Sequence, residues 1–301
     1  SEGFTGFIDL QIRTIEYEVS GQVAGPDFFS VDDNFLFFNP KAGLTYQVAS
    51  GQKIYFSYAK AQREPNRTDY ENGNPKPEKL DDFELGWRIN TPKIQAQTNI
   101  YWMEYKDQLV LTGAIDAVGS PIRQNVGKSR RLGIELELKM NLSSNWLWQP
   151  NIALSSNQNL DFYFKRDGFL ENLGKTQLAY SPNLVGGSSI MYIPSTRFQI
   201  GLLSKYVGKQ YMGNIDSENS TLEAYFVNDL NAVFIWKPNK WVSEIQWSIL
   251  INNIFDIKYE SNGYFYTYDD DFSTPGQVKT IEGTGYFPQA GINFLTGISL
   301  R

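Results

Sequence analysis

The chain has no cysteine and no histidine in 301 residues. Without cysteine there are no disulfides and no thiolate metal sites. Without histidine there is no imidazole base for a Ser-His-Asp triad, and histidine-bearing zinc sites are excluded as well. Long apolar runs are also missing: none approaches the roughly 18–20 residues of a transmembrane helix. That absence does not exclude a membrane, because strands of alternating polarity are hidden in a hydropathy average. Positive charge is in deficit, with 27 Lys and Arg against 33 Asp and Glu, so nucleic acid is not an expected partner. Gly186-Gly187 does not open a helix, so no phosphate-cradling loop is present. No catalytic constellation and no cofactor motif emerges, and the chain reads as a non-enzyme.

Aromatics are abundant instead: 20 Phe, 18 Tyr and 7 Trp, 15% of the chain. Residues 128–157 show how they and the aliphatics are arranged. Leu132, Ile134, Leu136, Leu138, Met140 and Leu142 alternate with Gly133, Glu135, Glu137, Lys139 and Asn141. After Ser143-Ser144-Asn145 the alternation restarts, with Trp146, Trp148, Pro150, Ile152 and Leu154 in phase. Side chains of a strand point to opposite faces in turn, so this is a pair of two-faced strands. A soluble sheet would turn the charged face to water. A membrane barrel would turn it to a wet lumen and the apolar face to lipid.

The same pattern recurs along the chain, at 4–19, 37–48, 53–63, 80–90, 93–109, 184–193, 196–211, 223–236, 242–255 and 287–301. With the opening pair this makes about twelve strands. Most reach the roughly 9–11 residues that a tilted strand needs to cross a bilayer. Short turns at 49–52, 91–92, 143–145, 194–195 and 237–240 alternate with long segments at 21–34, 64–78, 111–127, 160–181, 213–221 and 256–286, all taken as loops. Gly25-Pro26, Asp32-Asp33-Asn34 and Gly119-Ser120-Pro121 punctuate these loops. No capped helix of 3.6-residue period is expected. Strict short/long alternation is the pattern of an outer-membrane barrel, with periplasmic turns at one rim and extracellular loops at the other. The expected fold is therefore all-β, an antiparallel transmembrane β-barrel. Trp146, Trp148, Trp236, Trp241 and Trp247, near turn ends, are expected to form the inner interfacial girdle.

Four segments resemble one family. Asn39-Pro40-Lys41-Ala42-Gly43-Leu44-Thr45-Tyr46 with Ile54-Tyr55-Phe56-Ser57-Tyr58-Ala59 is similar to a strand pair of TonB-dependent outer-membrane receptors. Residues 77–86, 125–137 and 251–259 resemble their strand re-entry, another strand start and the penultimate strand. The resemblance implies a barrel of about 22 strands with an N-terminal plug, located in the cell outer membrane. It implies a receptor of the siderophore, haem or cobalamin type. Its partners would be a small-molecule ligand such as a metal chelate, outer-membrane lipid or lipopolysaccharide, and the TonB complex through the plug. Residues 1–301 would be the C-terminal portion of the barrel domain. Ser1-Glu2-Gly3 carries no signal segment and Leu300-Arg301 no terminal aromatic, so the sequence reads as a piece of a longer polypeptide. The alternatives are an independent barrel acting as channel or adhesin, and a soluble β-sheet binding module.

Two groups of side chains are candidates for function. Tyr264, Tyr266 and Tyr268 precede Asp269, Asp270 and Asp271 in the last long loop. They read either as an acidic aromatic lip that meets a ligand or as a solvated charge run beside rim aromatics. A calcium site is disfavoured, because no Asp-x-Asp-x-Asp-Gly loop is present. Glu135, Glu137 and Lys139 point into the barrel. They either line a substrate path facing the plug, or solvate a wet wall or pair across strands with neighbours such as Arg88. Lys128, Arg130 and Arg131 read as a grip for an anionic ligand or lipid phosphate, or as a basic strand end.

Overall fold

Period-two sequences bury one face only when paired in a sheet, and this chain pairs them in sequence order. A computed structural model describes residues 3–22, 28–71, 73–115, 121–238 and 242–301. The strands are β1 (Phe4–Gln22), β2 (Phe28–Ala49), β3 (Gln52–Arg63), β4 (Glu78–Asn90), β5 (Ile94–Ile115), β6 (Pro121–Asn141), β7 (Trp146–Arg166), β8 (Phe169–Gln177) and β9 (Leu184–Ser195). There follow β10 (Phe198–Val207), β11 (Gln210–Tyr211), β12 (Thr221–Leu222), β13 (Tyr225–Trp236), β14 (Ile245–Asn252), β15 (Glu260–Asp270), β16 (Lys279–Pro288) and β17 (Asn293–Leu300). One short helix, α1 (Arg67–Glu71), sits in the connection after β3.

Twelve strands make one wall in the order β1-β2-β3-β4-β5-β6-β7-β9-β10-β13-β14-β17, which is the expected number. Neighbours in the wall are antiparallel. Among the described residues β1 pairs only with β2 and β17 only with β14, so the wall is an open arc. Short turns lie at one rim and long connections at the other. No helix among the described residues is long and apolar enough to cross a membrane, which says nothing of strands.

The apolar phase faces outward and stays uncovered. Ile8, Leu36, Leu44, Phe56, Leu85, Ile100, Ile134, Leu154, Phe294 and Ile298 are all exposed, Ile8 by 77%. A soluble protein rarely leaves so wide an apolar face open, whereas lipid covers it in a barrel. Trp146, Trp236 and Trp247 are exposed near the short-turn rim, as a girdle requires. Trp148 donates its indole N–H to Ser188 Oγ at 3.0 Å. Trp241 lies outside the described residues, as do 25–26, 119–120 and 239–240.

Several segments expected as loops are strands. Residues 28–34 extend β2 and pair with β1 as far as Gln22 opposite Phe28. Above the bilayer both faces of a hairpin can be wet, so Asp32 and Asp33 do not break it; Tyr70 of α1 donates its hydroxyl to Asp33 Oδ2 at 2.6 Å. Residues 160–177 form a second hairpin, β7 turning into β8 through Asp167 and Gly168, both with positive φ. Residues 260–288 are a third, β15 with β16. The final wall strand accordingly begins at Asn293, not at 287.

Candidate functional site

The inner face of the wall is a polar belt set by register. Lys53, Arg88, Gln97, Glu137, Asn151 and Gly187 stand opposite one another across β3, β4, β5, β6, β7 and β9. One row outward Glu135 stands between Asn99 and Ala153, and one row inward Lys139 faces Gln95. A cavity of about 470 Å³ opens on this face, lined among others by Arg88, Gln95, Glu137, Lys139 and Gln149. Of the alternatives for these residues, the cross-strand ion pair with Arg88 is not made among the described residues. Arg88 instead lies over the Tyr55 ring, 5.0 Å from its centroid, and Tyr55 donates its hydroxyl to Asn99 Oδ1 at 3.1 Å. Glu135, Glu137 and Lys139 carry no ion pair among the described residues and present free charge to the concave side.

The mouth of the wall has a different character. β7 carries one extra residue between Asn159 and Phe162, which leaves Phe162 on the same side as Asn159. Polar and apolar groups are thereby brought together on the inside. Asn159 donates to Thr176 Oγ1 at 3.0 Å and Asn214 donates to the Leu111 carbonyl at 2.7 Å. Above them Val110, Val126, Phe162, Phe164, Leu178 and Ile215 form a buried cluster. Phe265 of β15 packs against it.

The β15–β16 hairpin lies on this cluster with one face down. Phe265 and Thr267 point to it, and Thr267 stands beside Ala114 of β5. Side chains alternate, so Tyr264, Tyr266 and Tyr268 occupy the opposite, free face. Their rings stack in series, with centroids 6.3 and 6.5 Å apart. Gly285 and Gly283 stand opposite Tyr264 and Tyr266, and the rings lie across these glycines. Phe287 extends the row, 5.9 Å from Tyr264.

The hairpin is tied down by polar contacts on its lower face. Thr280 N–H donates to Asp167 Oδ1 at 2.8 Å, and Asp167 N–H donates to Thr280 Oγ1 at 2.7 Å. Lys165 pairs with Asp269 at 3.2 Å and Arg166 with Glu282 at 3.8 Å. Ser217 and Asn219 both donate to Glu282 Oε2. Burial in the neighbouring connection pushes the Asp216 carboxyl above its ordinary value.

The three consecutive aspartates diverge. Asp269 is held by Thr280 and Lys165. Asp270 accepts the backbone N–H groups of Ser273 and Phe272, which hold its pKa below the ordinary carboxylate value. Asp271 is exposed. Among the described residues no group of carboxylates is placed to hold a metal ion. Sequence reasoning missed Phe265, Thr267 and Thr280, although Tyr-Phe-Tyr-Thr-Tyr is itself a period-two run.

Comparison with known proteins bears on this geometry. The family model described as "TonB dependent receptor-like, beta-barrel" matches residues 10–254. The pesticin receptor of Yersinia enterocolitica is 26% identical over 190 residues, which is 62% of this chain and 26% of that protein. The ferric-catecholate import receptor Fiu from K12 E. coli, in its closed form, superposes with a TM-score of 0.69 at 16% identity, covering 99% of this chain and 42% of that one. The ferric yersiniabactin uptake receptor FyuA from Yersinia pestis gives 0.66 at 18% identity, covering 98% and 42%. The chain thus spans about a quarter of the length of the curated relatives it matches.

Proposed function

Because the chain belongs to the TonB dependent receptor-like β-barrel family, we propose that it is part of an outer-membrane receptor importing a scarce nutrient, a ferric siderophore complex before haem or cobalamin. The protein is a transporter and not an enzyme. Residues 1–301 supply the C-terminal arc of a larger barrel. The plug, the earlier strands and the contact with the TonB complex belong to the rest of the full-length protein. The unpaired edges of β1 and β17 support this division and weigh against an independent channel or adhesin. The uncovered apolar face weighs against a soluble binding module.

The observation that carries the ligand class is the stack of Tyr264, Tyr266 and Tyr268 on the free face of the mouth hairpin. Flat rings in series suit the aromatic, planar groups of a metal chelate, with Asp270 and the exposed Asp271 at the lip, while Asp269 is held on the opposite face by Thr280 and Lys165. Glu135, Glu137 and Lys139 then line the path below. In this reading the ligand carries the metal in, and no resident cofactor is required.

The test is a titration of the purified full-length protein with a ferric catecholate, a ferric hydroxamate lacking aromatic groups, haem and cobalamin, read by intrinsic fluorescence. The aromatic ferric chelate is expected to bind, and Tyr266→Ala to weaken it about three- to tenfold, the worth of one aromatic pair. Absence of binding by any iron complex, with growth under iron limitation unaffected by deletion, would overturn the proposal.

A further inference from the structure

The convex side carries a row of unpaired charge that the proposed import does not call on. β3, β4, β5 and β6 are in register there, so equivalent residues form rows across the strands. Tyr58, Phe83, Trp102 and Leu132 stand opposite one another, with ring centroids 5.0 and 6.4 Å apart along Tyr58, Phe83 and Trp102. They form the outer aromatic edge of the apolar band. The next row outward is Lys60, Asp81, Glu104 and Arg130. Its carboxylates are already engaged. Tyr58 donates its hydroxyl to Asp81 Oδ1 at 2.7 Å, while Arg130 Nε and Trp102 Nε1 donate to Glu104 Oε1 at 2.5 and 2.7 Å.

The row beyond is Gln62, Lys79, Lys106 and Lys128. Three lysines thus stand side by side on adjacent strands. All are exposed, and none has an ion-pair partner among the described residues. Strands are spaced about 4.8 Å, so the three ammonium groups fall within reach of one or two phosphates. Like charges directly opposite destabilise a sheet, and a bound anion removes that repulsion. Arg131, three residues after Lys128, does not join it: its Nη1 donates to the Tyr105 hydroxyl at 2.5 Å.

We propose that Lys79, Lys106 and Lys128 form a docking site for the phosphate groups of a phosphorylated glycolipid of the outer leaflet. The row sits at headgroup height, just above the aromatic edge. The acyl chains of that lipid would run down over Tyr58, Phe83 and Trp102. The inference does not depend on what the receptor imports.

The test uses the full-length protein in nanodiscs, with bound lipid counted by native mass spectrometry. The probes are bisphosphorylated lipid A, its dephosphorylated form and inorganic phosphate as competitor. Wild-type protein is expected to retain the bisphosphorylated lipid over the dephosphorylated one, and millimolar phosphate is expected not to displace it. Each lysine is worth about fivefold near an anionic surface, so K79Q/K106Q/K128Q should lose about a hundredfold in retention. Lys53→Gln with Lys139→Gln, on the inner face, should lose nothing. Equal retention of both lipids by wild-type protein overturns the proposal, whether or not the triple variant folds. Full displacement by inorganic phosphate overturns the lipid as the source.

Discussion

The ring of Tyr266 lies over Gly283 on the neighbouring strand, so closely that a Cβ on that glycine would stand 2.4 Å from Tyr266 Cζ. Tyr264 and Gly285 repeat the relationship at 2.3 Å. The stack therefore depends on two glycines that the rings themselves cover. Gly283→Val is expected to lift Tyr266 out of line at a cost of about 1–3 kcal/mol of local strain. It should weaken ligand binding as much as Tyr266→Ala while leaving the wall intact. Fluorescence titration of both variants, with far-UV circular dichroism as the fold control, checks this. Unchanged binding in Gly283→Val would show that the row of rings is not the contact surface.

The hairpin is held to its neighbour by the reciprocal bonds between Asp167 and Thr280. Thr280→Val removes the hydroxyl that accepts from Asp167 N–H and donates to Asp269. Each lost bond costs about 0.5–1.5 kcal/mol, and more where a group is left unpaired. Hydrogen exchange should speed up across residues 260–288 and stay unchanged in β1 to β4. Unchanged exchange in the variant would mean that the packing of Phe265 and the ties to Asp269 and Glu282 hold the hairpin without these bonds.

The wall was legible in the sequence because alternation is written residue by residue, and Leu132 to Leu142 already separates lipid face from lumen face. The hairpins above the membrane were not. Asp167-Gly168 is a type I′ hairpin signal, yet it sits in a segment whose mixed polarity reads as loop. Above the bilayer no lipid enforces a dry face, so strands there lose the alternation that marks them. The three aspartates showed a related limit: adjacency in sequence could not reveal that Asp269 faces Thr280 while Asp270 caps a turn. The lysine row was hidden for the opposite reason. Lys79, Lys106 and Lys128 lie on three different strands, and only register brings them together.

Asp270 makes the tip of the mouth hairpin sensitive to acid. Its carboxylate accepts from Ser273 and Phe272, and these bonds favour the charged form and lower its pKa from 3.8. A depressed carboxylate pKa stabilises the fold above the unfolded value, and that contribution is lost as pH falls through the folded value. The turn at 271–278 should thus be firm at pH 6 and loosen only below about pH 4. With an acid-active protease, nicking of wild type should rise toward that of Asp270→Asn as pH falls below about 4. At pH 6 a neutral protease should nick the Asn variant faster. Equal rates at pH 6 would remove Asp270 from this role.

Ile134 and Glu135 are neighbours in β6 that face opposite media. Ile134 stands in line with Ile100 and Leu154 on the uncovered apolar side, and Glu135 with Asn99 and Ala153 on the polar side. An arginine on the lipid face costs about 2–4 kcal/mol at the bilayer midplane and less toward the interface, and Ile134 lies one row below the outer aromatic edge, while lumen positions tolerate charge. Ile134→Arg should therefore lower the stability of the full-length barrel by about 1–3 kcal/mol, between the midplane and interface costs, in a denaturant titration from lipid vesicles. Glu135→Arg should change it by less than about 0.5 kcal/mol, as surface substitutions usually do. Both variants add one arginine to the same strand, one residue apart, so strand propensity cannot separate them. Only the medium each face meets can, and equal losses at the two positions would contradict the assignment of lipid to one face and water to the other.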